Sequence, residues 1–159
     1  IFLKPISTND WIPFICGKFA EKGKKISEEL VGKICTTVAS HSSYVQQLAW
    51  NIMVNTETEV TDEIFQQSIS ELLAQCSPLF IQQIQGLTTY QMNLIRCLCQ
   101  GVRKDFTSKD VLETYQLGSK SNISRLKKTL LEKEIIEEEG DTITLADPIF
   151  ELWFKREYM

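Results

Sequence analysis

The sequence predicts an all-α fold, a helical bundle followed by a winged helix-turn-helix whose only strands form one small β-hairpin. Three observations predict it. Apolar residues recur at helical spacing along most of the chain. Ser, Thr or Asp stands ahead of nearly every periodic run, where a helix start needs a side chain to accept its free amides. One stretch, from Ile135 to Leu145, changes to strand character on either side of Gly140-Asp141.

Taken in order, Ile1-Phe2-Leu3-Lys4-Pro5-Ile6 is an apolar run ended by Pro and reads as the tail of a strand whose sheet lies outside this sequence. Ser7, Thr8 and Asp10 offer caps for a helix carrying Trp11, Phe14, Ile15 and Phe19, which should begin close to Pro13 and end at Gly23. Ser27 opens the next, with Glu28 and Glu29 at its positive end and Leu30, Ile34 and Val38 as its stripe. Tyr44, Leu48 and Ile52 mark a third helix, and Thr61-Asp62-Glu63 starts a fourth through Ile64, Phe65, Leu72 and Leu73. Ser77-Pro78 is expected to break or restart that helix, and Phe80, Ile81 and Ile84 carry the stripe on to Gly86.

From Leu87 the signals narrow to one architecture. Thr88 and Gln91 have the spacing of a capping box, and the helix they open ends at Gly101. Thr107-Ser108 starts a short helix with Val111, Leu112 and Tyr115. The turn Gln116-Leu117-Gly118-Ser119 then introduces a third, in which Ile123, Leu126 and Leu130 repeat. Two helices joined by a tight Gly turn are a helix-turn-helix, and the hairpin that follows supplies a wing. Asp147-Pro148 is a cap and first-turn pair for a last helix, apolar on most sides and therefore buried. The expected division is 1–86 for the bundle and 87–159 for the winged helix with its closing helix, the boundary falling near Gly86.

Composition excludes several classes. No window approaches the roughly 18 unbroken apolar residues of a membrane helix, and no signal segment opens the chain, so a cytoplasmic protein with no membrane partner is expected. Cys16, Cys35, Cys76, Cys97 and Cys99 are odd in number and irregularly spaced, and His41 is the one histidine. Reduced thiols follow, rather than disulfides or a metal site. One His with no supporting motif also assembles no hydrolase triad, so no catalytic residue is assigned. The three tryptophans, Trp11, Trp50 and Trp153, stand at helical spacing and are expected in the core.

The net charge of −4 disfavours indiscriminate binding to polyanions. Its distribution is uneven. From Ser119 to Lys133 five Lys or Arg face one Glu, whereas Glu137 to Asp141 holds four acids and no base. The third winged-helix helix sets Lys120, Asn122, Arg125, Lys127 and Lys128 away from its apolar stripe, and Lys120, Ser121, Asn122, Arg125 and Lys128 are the side chains a DNA groove would accept; a solvated charged face has the same pattern. If DNA binds, that helix reads it, and the acidic wing stays away from the phosphates.

The order Trp11-Ile12-Pro13-Phe14-Ile15 with Phe19, His41-Ser42-Ser43-Tyr44 through Leu48, Thr88 with Gln91, Tyr115 to Ser119, Leu131 to Ile136 and Asp147 to Phe154 resembles the C-terminal part of prokaryotic P-loop ATPases. These are the archaeal and bacterial AAA+-related enzymes close to the STAND group, in which an ATPase core is followed by a helical lid and a winged helix. The resemblance implies that Thr8 to Gly86 is the lid and that His41 and Tyr44 have a nucleotide-sensing place, against the plainer reading of His41 as a capping or surface residue. It also implies ATP and magnesium as cofactors of the longer parent. Two positions depart from the pattern: Ser42 stands where Pro commonly follows the His, and Glu134 where Gly commonly ends the third helix. The sequence holds no Gly-x-x-x-x-Gly-Lys-Ser/Thr loop and no apolar strand ending in paired acids. A piece of a longer ATPase, with no hydrolysis of its own, is therefore expected. Two kinds of partner stay open: double-stranded DNA, or the parent's own ATPase core or a neighbouring subunit, docked by protein contact.

Overall fold

The computed structural model describes residues 5–159. The strand tail expected over Ile1 to Ile6 falls mostly outside these residues, and Pro5 and Ile6 have no regular structure. The elements are α1 (Thr8–Glu21), α2 (Glu28–Thr37), α3 (Ser42–Asn55), α4 (Asp62–Ile84), α5 (Thr89–Cys99), α6 (Lys109–Tyr115), α7 (Lys120–Glu132), β1 (Ile136–Glu139), β2 (Thr142–Leu145) and α8 (Pro148–Tyr158). The fold is thus all-α but for one antiparallel hairpin. Two compact units divide between Cys76 and Ser77, inside α4.

In the first unit α1 packs on α2 and α2 on α3 around buried Trp11, Ile15, Phe19, Val31, Ile34, Val45, Leu48 and Ile52. The Ser7 and Ser27 hydroxyls accept amides of the first turns of α1 and α2. Gly23, at φ +70°, closes α1: the Lys24 amide reaches the Phe19 carbonyl at 2.9 Å and the Gly23 amide reaches Ala20 at 3.0 Å, the paired bonds of a Schellman end. An isolated parallel bridge, Lys25 to Glu59, ties the loop after α1 to the one before α4. Between α3 and α4 the contact is partly polar. Gln47 and Asn51 both donate to the Gln75 side-chain oxygen Oε1 at 3.3 Å, and Asn55 donates to Ser68 and to Glu71, the latter at 2.8 Å.

Three expectations are corrected here. The first helix begins at Thr8, not near Pro13, which stands inside α1. Ser77-Pro78 does not break the fourth helix: α4 runs through both residues. Proline there removes the bond its amide would make to the Ala74 carbonyl, but Ala74 and Pro78 are exposed, so water can serve that oxygen. Trp50 is not core; it is 60% exposed, while Trp11 and Trp153 are each 3% exposed.

In the second unit α5, α6 and α7 form a three-helix layer, with β1 against α7 and β2 against α5. Leu94, Ile95, Cys97, Leu98, Leu117, Ile123, Leu126, Leu130 and Ile143 make its core. Phe80, Phe150 and Trp153 meet with ring centroids 5.4–5.7 Å apart, and the Trp153 indole donates to the Ser77 hydroxyl at 3.1 Å. This cluster buries α8, whose first turn is capped by Asp147. Glu139 pairs with Thr142, leaving Gly140-Asp141 as a two-residue turn, with φ +61° at Gly140. The Ile143 amide also bonds the Arg103 carbonyl at 2.8 Å, which fastens the loop before α6 to the wing.

Glu134 behaves differently from its type. It takes φ +60°, and the amides of Glu134 and Ile135 bond the carbonyls of Leu131 and Leu130, each at 3.0 Å. The Schellman end of α7 therefore forms without glycine, held by Ile135 and Leu130, both buried.

All five cysteines are thiols outside any disulfide. No described helix is long and apolar enough to cross a membrane.

Candidate nucleic-acid interface

The sharp turn ahead of α7 decides where its polar face points. Gln116 ends α6 in the left-handed region, Leu117 is fully buried as an anchor, and Gly118 takes φ +86°. A Cβ at Gly118 would lie 3.2 Å from the Asn122 amide nitrogen and 3.4 Å from the Tyr90 ring, so the backbone conformation favours glycine and the space for a side chain is tight. From this turn α7 buries Ile123, Leu126 and Leu130 and leaves Lys120, Ser121, Arg125 and Lys128 exposed. Ser121, Arg125 and Lys128 follow i, i+4, i+7 spacing and line one stripe. None of the three cations enters an ion pair among the described residues. Their charge is offered outward.

Two members of the helix are used internally. Asn122 is half-buried, packed against Gly118, with its amide directed at the Leu117 carbonyl at 3.5 Å. It braces the turn. Lys127 places its ammonium 5.4 Å from the Phe106 ring centroid, a cation–π contact that draws it from the exposed stripe.

Beside the first turn of α7 lies a hollow of about 630 Å³ that no local signal in the chain marks. Its wall joins Ser119, Ser121, Asn122 and Arg125 to Thr88, Tyr90 and Gln91 from the start of α5. The capping box fixes that second wall: the Thr88 hydroxyl accepts the Gln91 amide at 3.2 Å, and the Gln91 side-chain oxygen accepts the Thr88 amide at 2.8 Å. The box was legible in the sequence; that it faces α7 was not, because the two segments meet only through the tertiary fold. Ser119 caps nothing. Its hydroxyl lies 3.0 Å from that of Ser121 instead.

The wing bears its acids outward. Glu137, Glu138, Glu139 and Asp141 are all exposed, on a hairpin whose first strand packs against α7.

His41 and Tyr44 belong to the first unit. His41 occupies the N-cap position of α3 without making a side-chain cap, and its ring lies 4.9 Å from that of Tyr44 between centroids. Its Nδ1 lies 3.1 Å from the Ser43 hydroxyl. The two are brought together at the surface after Ala39 and Ser40, consecutive residues at φ +51° and +56°. Among the described residues no group of His, Cys, Asp and Glu is arranged to hold a metal ion.

Helix, Gly turn, second helix and hairpin define a winged-helix domain, and residues 78–156 match the family described as "Probable winged helix domain". Beyond that unit, the fold of nearly the whole chain is similar to a solved structure, the Walker-type ATPase of Pyrococcus abyssi. The likeness has a TM-score of 0.71 at 15% sequence identity and covers 96% of this chain but 43% of the ATPase chain. This chain therefore spans less than half the length of that protein. No curated protein matches it in sequence.

Proposed function

We propose that this chain is the lid and winged-helix part of a P-loop ATPase, and that it binds double-stranded DNA through α7. The observation that carries the DNA reading is the stripe of Ser121, Arg125 and Lys128, with Lys120 beside it, exposed and without ion-pair partners among the described residues, on a helix held by a glycine turn. Exposed guanidinium and ammonium groups gain most from phosphates, whose counterions are released on contact. The likeness to a Walker-type ATPase supports the parent's class. In that parent ATP and magnesium would be held by the core and not by this chain, and ATP would control how α7 meets DNA, with His41 and Tyr44 near the nucleotide.

The test is fluorescence anisotropy of a labelled duplex at two salt concentrations, with wild type and a Lys120→Glu/Arg125→Glu variant. Salt-sensitive binding that vanishes in the variant is expected. No binding at low salt would overturn the DNA reading.

One observation favours a second reading. Four exposed carboxylates on the wing suit a protein partner better than a phosphate backbone, so the domain would instead dock on the parent's core or a neighbouring subunit. Binding to such a partner would survive salt.

A further inference from the structure

The hollow between the starts of α5 and α7 is not required by a helix that reads DNA alone. It is open, mixed in character with several hydrogen-bonding side chains in its wall, and free of carboxylates although the chain has 21 Asp and Glu. Its one charged lining residue is Arg125. The groups around that guanidinium are donors with spare capacity. The Gln91 oxygen is spent on the Thr88 amide, which leaves the Gln91 side-chain NH2 free to donate. Ser119 and Ser121 share one hydrogen bond between two hydroxyls, so one proton remains to point elsewhere. Tyr90 is 47% exposed and adds a phenol at the rim.

A cation surrounded by hydroxyl and amide donors, with no competing acid, matches the demand of a phosphodiester: one negative charge and several acceptor oxygens. Because Ser121 and Arg125 belong both to the outward stripe of α7 and to this wall, a strand following that stripe passes the hollow. We infer that the hollow seats a phosphodiester of the DNA strand running beside α7, with Arg125 as its counter-charge and Tyr90, Gln91 and Ser121 as its hydrogen-bond donors. This rests on the DNA reading and extends the contact surface to α5, outside the helix-turn-helix.

Gln91→Glu tests it with little risk to the fold. Glu serves a capping box as well as Gln does, so α5 keeps its start while a carboxylate enters the hollow. Duplex binding at low salt should weaken by about tenfold, the scale of one charge-assisted hydrogen bond lost and a repulsion gained, with the thermal melt unchanged. Tyr90→Phe should weaken binding by a few-fold and combine non-additively with Arg125→Ala, because both act on one phosphate, whereas Tyr90→Phe and Lys128→Ala should combine additively. Gln91→Glu binding as tightly as wild type would overturn the inference and leave the DNA reading standing. Wild type failing to bind any duplex would remove both. Titration with inorganic phosphate separates a strand from a free anion: a saturable shift of the Gln91 side-chain amide signals that duplex DNA neither competes away nor reproduces would assign the hollow to a free anion and overturn its assignment to a strand.

Discussion

Glu134 holds a backbone conformation that glycine adopts freely and other L-residues adopt at a cost of about 1–2 kcal/mol. Its side chain is exposed and makes no ion pair among the described residues, so little opposes its removal. Glu134→Gly should therefore stabilise the protein by about 1 kcal/mol, seen as a rise of a few degrees in the thermal midpoint. A fall would mean that the unfolded glycine chain gains more entropy than the strain releases. The sequence marks this position as lacking its usual glycine; it does not tell that Ile135 and Leu130, both buried, hold the left-handed end regardless. Cys97 carries a second residue-scale prediction. Burial pushes its thiol from 9.0 up to about 12, because a thiolate there would lose its hydration. Unfolded, the same thiol keeps its ordinary value and ionises first. Its contribution is complete below pH 9 and falls as pH rises toward 12, by about 1.4 kcal/mol per unit. Denaturant titrations between pH 8 and about 10 should give wild type a steeper loss than Cys97→Ala, whose lower starting stability reflects the cavity left behind. Equal slopes would contradict the burial argument.

At the scale of elements, caps and turns were the most legible part of the sequence, because they are local. Ser7, Ser27, Thr88, Ser108 and Asp147 all cap where their spacing placed them, and Gly140 makes the hairpin turn. Local rules failed where water or tertiary contact decides. Proline at 78 is a break signal only if the carbonyl it orphans has no access to water, and Ala74 is an exposed residue. Trp50 lies on a helical stripe, yet that face of α3 opens onto a shallow apolar groove beside Phe14, itself 53% exposed. The candidate DNA face was legible as a set of residues. The inward turns of Asn122 and Lys127 were not, since Gly118 and Phe106 make those contacts from other segments. Gly118 gives the prediction proper to this scale. Gly118→Ala meets both a positive φ and a 3.2 Å contact with the Asn122 side chain, so the backbone is strained and Asn122 must give way by a few tenths of an ångström. The expected loss is about 1–2 kcal/mol in the melt, with weaker duplex binding than Lys128→Ala causes. A variant as stable as wild type would show that the turn relaxes without strain.

For the molecule as a whole, charge decides how much of the α7 surface DNA can use. A net charge of −4 acts against association with a polyanion at any distance within the screening length, and four exposed acids lie on the wing, whose first strand packs on α7. The attraction of Lys120, Arg125 and Lys128 is thus opposed from within the same unit. Neutralising the wing with Glu137→Gln, Glu138→Gln and Glu139→Gln leaves the antiparallel register intact, because these positions are exposed and the pairing is through the backbone. Binding should tighten by about fivefold at low salt, on the scale of about 1 kcal/mol for a few partly screened charges, and the gain should shrink as salt rises. Anisotropy at matched salt concentrations measures both. A docking domain whose partner recognises the acidic wing predicts the opposite sign: the same variant keeps its indifference to DNA and loses its protein partner. One triple substitution therefore separates a wing that hinders from a wing that binds.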